Sequence, residues 1–308
     1  MLMEVNVTGF LFVTGCGALL CILWFFLALR KKARNVRAAL VSGLSLVLGV
    51  VLGIACARAV YVLCMIRYHF PLFDLSHDQL SYYGGMAGVI LAVCVAGKSG
   101  GLKLRDTLNV FAPMGALLAA AVRFAEGCLG DFGCGEWMET GLFFPITVEF
   151  RLDEYYADYY PAIFMLEGLF AVIAMIVALT HEDEKYRWVR TLFYLCLPQI
   201  LCESLRMNSI AWRFVRAEML FCFLWCEGVL VWYAFMRDRK QFSSWTPALT
   251  GLLVCGLVIV LEFVKDGKIQ IGGQMVAHWI VYVVMALGLA AMAFAEHRGY
   301  KRIRNSKS

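Results

Sequence analysis

Arg58, Arg123, Glu126, Glu167, Glu203, Glu227 and Glu262 all fall inside long apolar stretches of the chain. An ionisable side chain within a bilayer costs free energy, so each is a candidate for function. Arg123 and Glu126 stand three residues apart and share one face of a helix. Gln199, Glu203 and Arg206 stand at i, i+4 and i+7, again on one face. Two separate stretches thus each present an acid and an arginine. Arg206, Arg213 and Arg216 form a further basic group with no acid before Glu218. The planar guanidinium fork suits phosphate, so this set points to a buried site for an anionic group. The competing reading is structural: ion pairs that lock helices together, and a few arginines tolerated outside. Glu227 and Glu262 have no such company and read as structural.

Gly84, Gly85 and Gly88 open another apolar stretch. The Gly84–Gly88 spacing permits close helix contact, and paired glycines at a helix start let backbone N–H groups approach an anion. The twelve cysteines mostly lie in apolar runs, where the thiol acts as a small hydrophobe. Cys222 and Cys226 are one turn apart but have no metal-type companion, so no metal and no cofactor is expected. Cys128 and Cys134 both lie near the outer face, and the sequence leaves their pairing open.

The elements that must position these residues follow from composition. Of 308 residues, 61% are hydrophobic and 17% charged, and the mean hydropathy is +0.72. Soluble domains run at roughly 45–50% apolar and about 25% charged. A soluble enzyme, a disordered chain and a nucleic-acid binder are excluded. The net charge of +5 sits beside apolar runs rather than in a nucleic-acid patch. The start, MLMEVNVTG, lacks a basic region before its apolar run, so no cleavable signal is expected.

Nine apolar spans can be drawn, and the chain reads as an all-α polytopic membrane protein. The sixth, about Thr191–Leu205, carries the Gln199–Glu203–Arg206 face. The connections after spans 1, 3, 7 and 9 hold the Lys/Arg clusters, whereas the long loop from about Asp131 to Tyr160 is acidic. The positive-inside rule then sets the N-terminus outside and the C-terminus inside.

Five segments, in order, resemble the prolipoprotein diacylglyceryl transferases of bacterial membranes. ARAVYV, with Arg58 and Tyr61, is similar to the family's Gly-Arg-aromatic stretch. SYYGGMAGVILA resembles its aromatic–His–Gly–Gly segment, and APMGALLAAAVRFAEGCLGD its signature block. YPAIFMLEG and ILCESLRMN resemble the later His-Pro and Arg-x-x-x-Glu-x-x-Arg segments. The resemblance covers about residues 10–236 and implies a seven-helix core over residues 1–240. Residues 241–308 lie beyond it and are expected to form an added two-helix hairpin with a basic tail.

The resemblance implies transfer of the diacylglyceryl group of phosphatidylglycerol, or of another anionic phospholipid, to the thiol of a lipobox cysteine in a preprolipoprotein. It implies a multi-pass protein of the bacterial plasma membrane and no nucleic-acid partner. It assigns chemistry to Arg123, Glu126, Tyr83 and Glu203. It assigns substrate binding to Gly84, Gly85, Arg58, Tyr61, Gly130, Asp131, Glu167, Gln199, Arg206, Arg213 and Arg216. Three positions depart from the family: Tyr83 replaces the His before Gly-Gly, Glu126 the Asn after the signature Arg, and Gln199 the first Arg of the late segment. A phenol, with a reference pKa of about 10, is a poor base at neutral pH, which leaves Glu126 to take that role. The alternative is a non-catalytic or altered-specificity phospholipid-binding paralogue. A transporter is disfavoured, because neither an inverted repeat nor matched helix breaks are evident.

Overall fold

The computed structural model describes residues 5–73, 80–151, 157–180, 184–207, 209–212, 215–236, 242–269 and 276–305. Among these residues the chain forms nine α-helices and two antiparallel ribbons. The helices are α1 (Val7–Arg30), α2 (Asn35–Cys64), α3 (Tyr82–Ser99), α4 (Leu104–Glu126), α5 (Ile163–Thr180), α6 (Arg187–Leu205), α7 (Ala217–Met236), α8 (Phe242–Lys265) and α9 (His278–Asn305). Between α4 and α5, β1 (Thr147–Arg151) pairs with β2 (Ala157–Pro161), Thr147 opposite Pro161. Before α7, β3 (Ala211–Trp212) pairs with β4 (Val215–Arg216).

Among the described residues, eight helices are long and apolar enough to cross a membrane. The protein is an all-α polytopic membrane protein, with helices in the order expected from the sequence. The exception is α6, which holds Arg187, Arg190, Pro198, Gln199 and Glu203 within 19 residues. Large apolar side chains such as Phe12, Leu19 and Val47 stand open on the outer faces of α1 and α2. A surface so apolar needs lipid around it, and helices satisfy their own backbone groups there.

The chain divides into two compact units. One comprises Met1–Leu195 with Leu205–Glu218; the other comprises Cys196–Ser204 with Met219–Ser308. This division by packing is a different partition from the expected family core and C-terminal hairpin.

The first unit is built on close helix contacts. A Cβ added at Gly88 would lie 2.2 Å from the Leu52 carbonyl oxygen, and one at Gly84 2.6 Å from that of Cys56. The small residues of α3 therefore let it lie directly on the backbone of α2. The starts of α1 and α3 are capped by side chains. Asn6 Oδ1 accepts from Gly9 N at 2.8 Å, and Ser81 Oγ accepts from Gly84 N at 3.2 Å. Helix α4 is the buried centre, with Ala116, Ala119, Ala120 and Ala125 on its packed faces. Phe25 of α1 meets Phe111 of α4 edge-on, ring centroids 5.3 Å apart. Asn109 ties α4 to the entry of α6. Its Nδ2 donates to the Lys185 carbonyl at 3.3 Å, and its Oδ1 accepts from Trp188 N at 3.0 Å.

In the second unit, Cys196, Cys222, Cys226, Leu230, Val258, Met285 and Met292 are all buried. None of the twelve cysteines is in a disulfide, Cys128 and Cys134 included. Tyr233 donates to the buried Glu296 carboxylate at 2.9 Å. Glu262 has company after all: Lys265 Nζ lies 3.3 Å from it, and Ser204 Oγ donates to it.

Candidate functional site

Helix α4 ends at Glu126, and its last turn carries Arg123 and Glu126 on one face. Arg123 Nη1 donates to Glu126 Oε1 at 2.8 Å. Arg123 Nε lies 3.3 Å from Glu167 Oε2 on α5. Arg206 Nε donates to Glu167 Oε1 at 2.9 Å, and its Nη2 reaches both Glu167 Oε2 and Glu126 Oε2. Two arginines and two glutamates thus form one closed quartet, in which every residue is under 5% exposed. The formal charge of the four cancels. Burying four such groups is tolerated only because each is matched.

Backbone pairing sets the position of Arg206. The residue follows the last helical residue of α6 and forms an antiparallel bridge with Gly135. Met207 N donates to the Cys134 carbonyl at 3.2 Å, and Gly135 N to the Pro161 carbonyl at 2.8 Å. The acidic loop after α4 therefore folds back, through β2, to hold Arg206 against α4 and α5. Gly130, at φ +70°, allows the chain reversal beyond α4.

The Tyr82 ring lies on the Arg123 guanidinium, 3.5 Å from Cζ to the centroid. Tyr82 packs edge-on against Tyr83, centroids 5.2 Å apart, and Tyr83 is 3% exposed. Glu167 and Glu126 hold Arg123 along one edge and Tyr82 covers a face. Its Nη2 is buried and has no hydrogen-bond partner among the described residues.

The start of α3 holds an anion of the chain's own. Glu218 Oε1 accepts from Ser81 Oγ at 2.9 Å and from Tyr82 N at 3.1 Å. The sequence pointed to this helix start as an anion site through Gly84 and Gly85; the structure puts the Glu218 carboxylate there. Gly84 instead faces α2, and a Cβ on Gly85 would meet the Ala57 methyl at 3.8 Å and the Gly53 carbonyl oxygen at 3.9 Å. Glu218 and Tyr82 were missed by spacing arguments. The one local signal was a Ser-aromatic-aromatic helix start whose free N–H groups require an acceptor.

Several expected site residues have other contacts. Arg58 is buried, and its Nη2 donates to the Pro71 carbonyl at 2.5 Å and its Nε to that of Leu72 at 3.4 Å. Its guanidinium lies 5.6 Å from the Tyr61 ring centroid. Arg216 Nη1 donates to the Arg206 carbonyl at 2.9 Å and to Ser209 Oγ at 2.8 Å, closing the loop that carries Arg206. Gln199 Nε2 donates to Glu203 Oε1 at 3.2 Å, a buried pair within the second unit. Arg213 lies outside the described residues, as does the Asp131 side chain. Among the described residues no group of three or more His, Cys, Asp or Glu is placed to hold a metal ion.

The arrangement can bind an oxyanion at the terminal nitrogens of two buried arginines and stabilise charge that develops there. No curated protein and no solved structure matches the chain. A family model described as prolipoprotein diacylglyceryl transferase matches residues 2–294. The match runs beyond the segments quoted above, through α8 and into α9. A match over nearly the whole length, on a helical membrane fold with paired intramembrane arginines, establishes that the chain belongs to the prolipoprotein diacylglyceryl transferase family.

Proposed function

We propose that the chain moves the diacylglyceryl group of phosphatidylglycerol, or of another anionic phospholipid, to the thiol of a lipobox cysteine in a preprolipoprotein. The thiol gives its proton to a carboxylate, and the sulfur bonds to the glycerol carbon that bears the phosphate. That carbon's bond to the phosphate oxygen breaks, and the electron pair leaves with glycerol phosphate. Thiolate is the competent nucleophile, and the leaving phosphate needs neutralising donors in a water-poor place.

The observation that carries this reading is the quartet, in which guanidinium groups from α4 and from the residue after α6 converge on one buried point. Arg123 Nη2 is the donor left open there. Glu126 stands at the same point and is assigned the thiol proton, because Tyr83 offers only a phenol. Positive-inside charge supports an outside N-terminus and an inside C-terminus. The acidic loop and the α4 end then face the side where a lipobox cysteine emerges, in the plasma membrane of a bacterium.

The test is purified protein in vesicles with labelled phosphatidylglycerol and a lipobox peptide. The expected result is labelled thioether on the peptide, reduced at least about 100-fold in Arg123→Ala, as for loss of a transition-state donor. Unlabelled peptide, with lipid binding that still depends on Arg123 and Arg206, would instead establish the binding paralogue that Tyr83 and Gln199 favour.

A further inference from the structure

We propose that Glu126 occupies, in the resting protein, the position that the lipid phosphate takes, and so sets the affinity of the site for a phosphodiester. The inference rests on the transferase reading and concerns how its lipid is admitted.

The two carboxylates of the quartet are not equivalent. Glu167 meets the Nε edge of both arginines, Arg123 at 3.3 Å and Arg206 at 2.9 Å. Glu126 meets only terminal nitrogens, Arg123 Nη1 at 2.8 Å through one oxygen and Arg206 Nη2 through the other. One carboxylate thereby spans both guanidinium groups at their terminal nitrogens. A phosphodiester likewise carries one negative charge and two acceptor oxygens, and can make the same bridge. Glu126 therefore mimics it.

Charge decides how the two anions share the site. With Glu126 in place the quartet is neutral. A phosphodiester added beside it would leave a net negative charge buried, which a membrane interior penalises. Replacing Glu126 by the phosphodiester keeps the balance at zero. Glu126 is the last residue of α4, followed by the cap Gly127, so its side chain can leave without breaking the helix. Arg123 Nη2, buried and without a hydrogen-bond partner, is a donor the phosphate can reach first. The displaced carboxylate is then at hand as proton acceptor, so lipid entry and base release are one event.

The experiment uses the full chain in neutral detergent. Its Tm is followed against added dioleoylphosphatidylglycerol, with dioleoylphosphatidylcholine as control and glycerol phosphate in a third arm. Glu126→Gln is expected to start at a lower Tm, because one arginine loses its charge partner. It is then expected to recover with phosphatidylglycerol at a concentration about tenfold below that acting on the wild type. Recovery with glycerol phosphate as well would mean that the phosphate alone is read. Recovery with the lipid alone would mean that the headgroup binds only with its acyl chains; both outcomes support the exchange. Glu126→Asn serves if the glutamine variant does not fold. Equal or weaker phosphatidylglycerol binding by both variants overturns the proposal. The readout is binding, so tighter binding by the variants together with no thioether product from the wild-type protein would sink the transferase reading and leave the exchange standing.

Discussion

Arg206 grips Glu167 with two nitrogens, Nε donating to Oε1 at 2.9 Å and Nη2 meeting Oε2. The two residues lie 39 positions apart in the chain, and their union joins α5 to the segment that follows α6. The same Nη2 reaches Glu126, so the fork closes the quartet as well as making a pair.

Arg206→Lys keeps the charge but cannot span two carboxylates with a planar fork. The expected result is a lower Tm and at least about tenfold slower lipid transfer, read from thermal unfolding and the thioether assay. Glu167→Ala removes the partner of both arginines and should cost about 3 kcal/mol or more, since it leaves uncompensated buried charge. Unchanged stability in Glu167→Ala would show that water or lipid already solvates the quartet.

The Tyr82 ring is expected to hold the plane of the Arg123 guanidinium. Tyr82→Phe keeps the ring and should leave lipid KM near the wild-type value. Tyr82→Leu removes a ring contact to Arg123 worth about 1 kcal/mol and should raise KM roughly fivefold. Equal kinetics in the two variants would refute a role for the ring face.

Packing of α2 on α3 gives a paired prediction. Gly88→Ala sets a methyl against the Leu52 carbonyl, a backbone atom that cannot rotate away, and should destabilise by about 2 kcal/mol. Gly49→Ala, on the same α2 helix, meets nothing within 4 Å and should change stability by less than about 0.5 kcal/mol. Thermal unfolding of both in one detergent decides it.

Glu227 sits in α7 with both carboxylate oxygens buried and without a hydrogen-bond partner among the described residues. A Cβ on Gly251 of α8 would lie 2.0 Å from its Oε2, so the carboxyl fills a niche lined by that glycine. An unpartnered buried polar group costs stability, so Glu227→Met should raise the Tm, by the equivalent of about 1 kcal/mol. A lowered Tm would show that the carboxyl holds a proton-sharing partner in lipid.

The sequence by itself determined the class of the protein and much of its local order. Apolar runs of membrane length located the helices, because a chain in lipid has few other ways to satisfy its backbone. Spacing alone paired Arg123 with Glu126, since residues three apart on a helix must share a face. The Gly84–Gly88 spacing foretold a close helix contact for the same local reason.

Only the tertiary structure decided which acid answers which arginine. The reading that set Arg206 on one face with Gln199 and Glu203 assumed that the helix continued; α6 stops at Leu205, and Arg206 is instead held by its bridge to Gly135. Arg216, grouped with the phosphate site by residue type, and Arg58, assigned to substrate binding by the resemblance, donate to backbone carbonyls of nearby loops. Glu218, 136 positions from Tyr82 in the chain, caps the start of α3. Periodicity reports on a side chain's neighbours within one helix. Partners from another helix depend on register, crossing and where each helix ends, and those are set by packing.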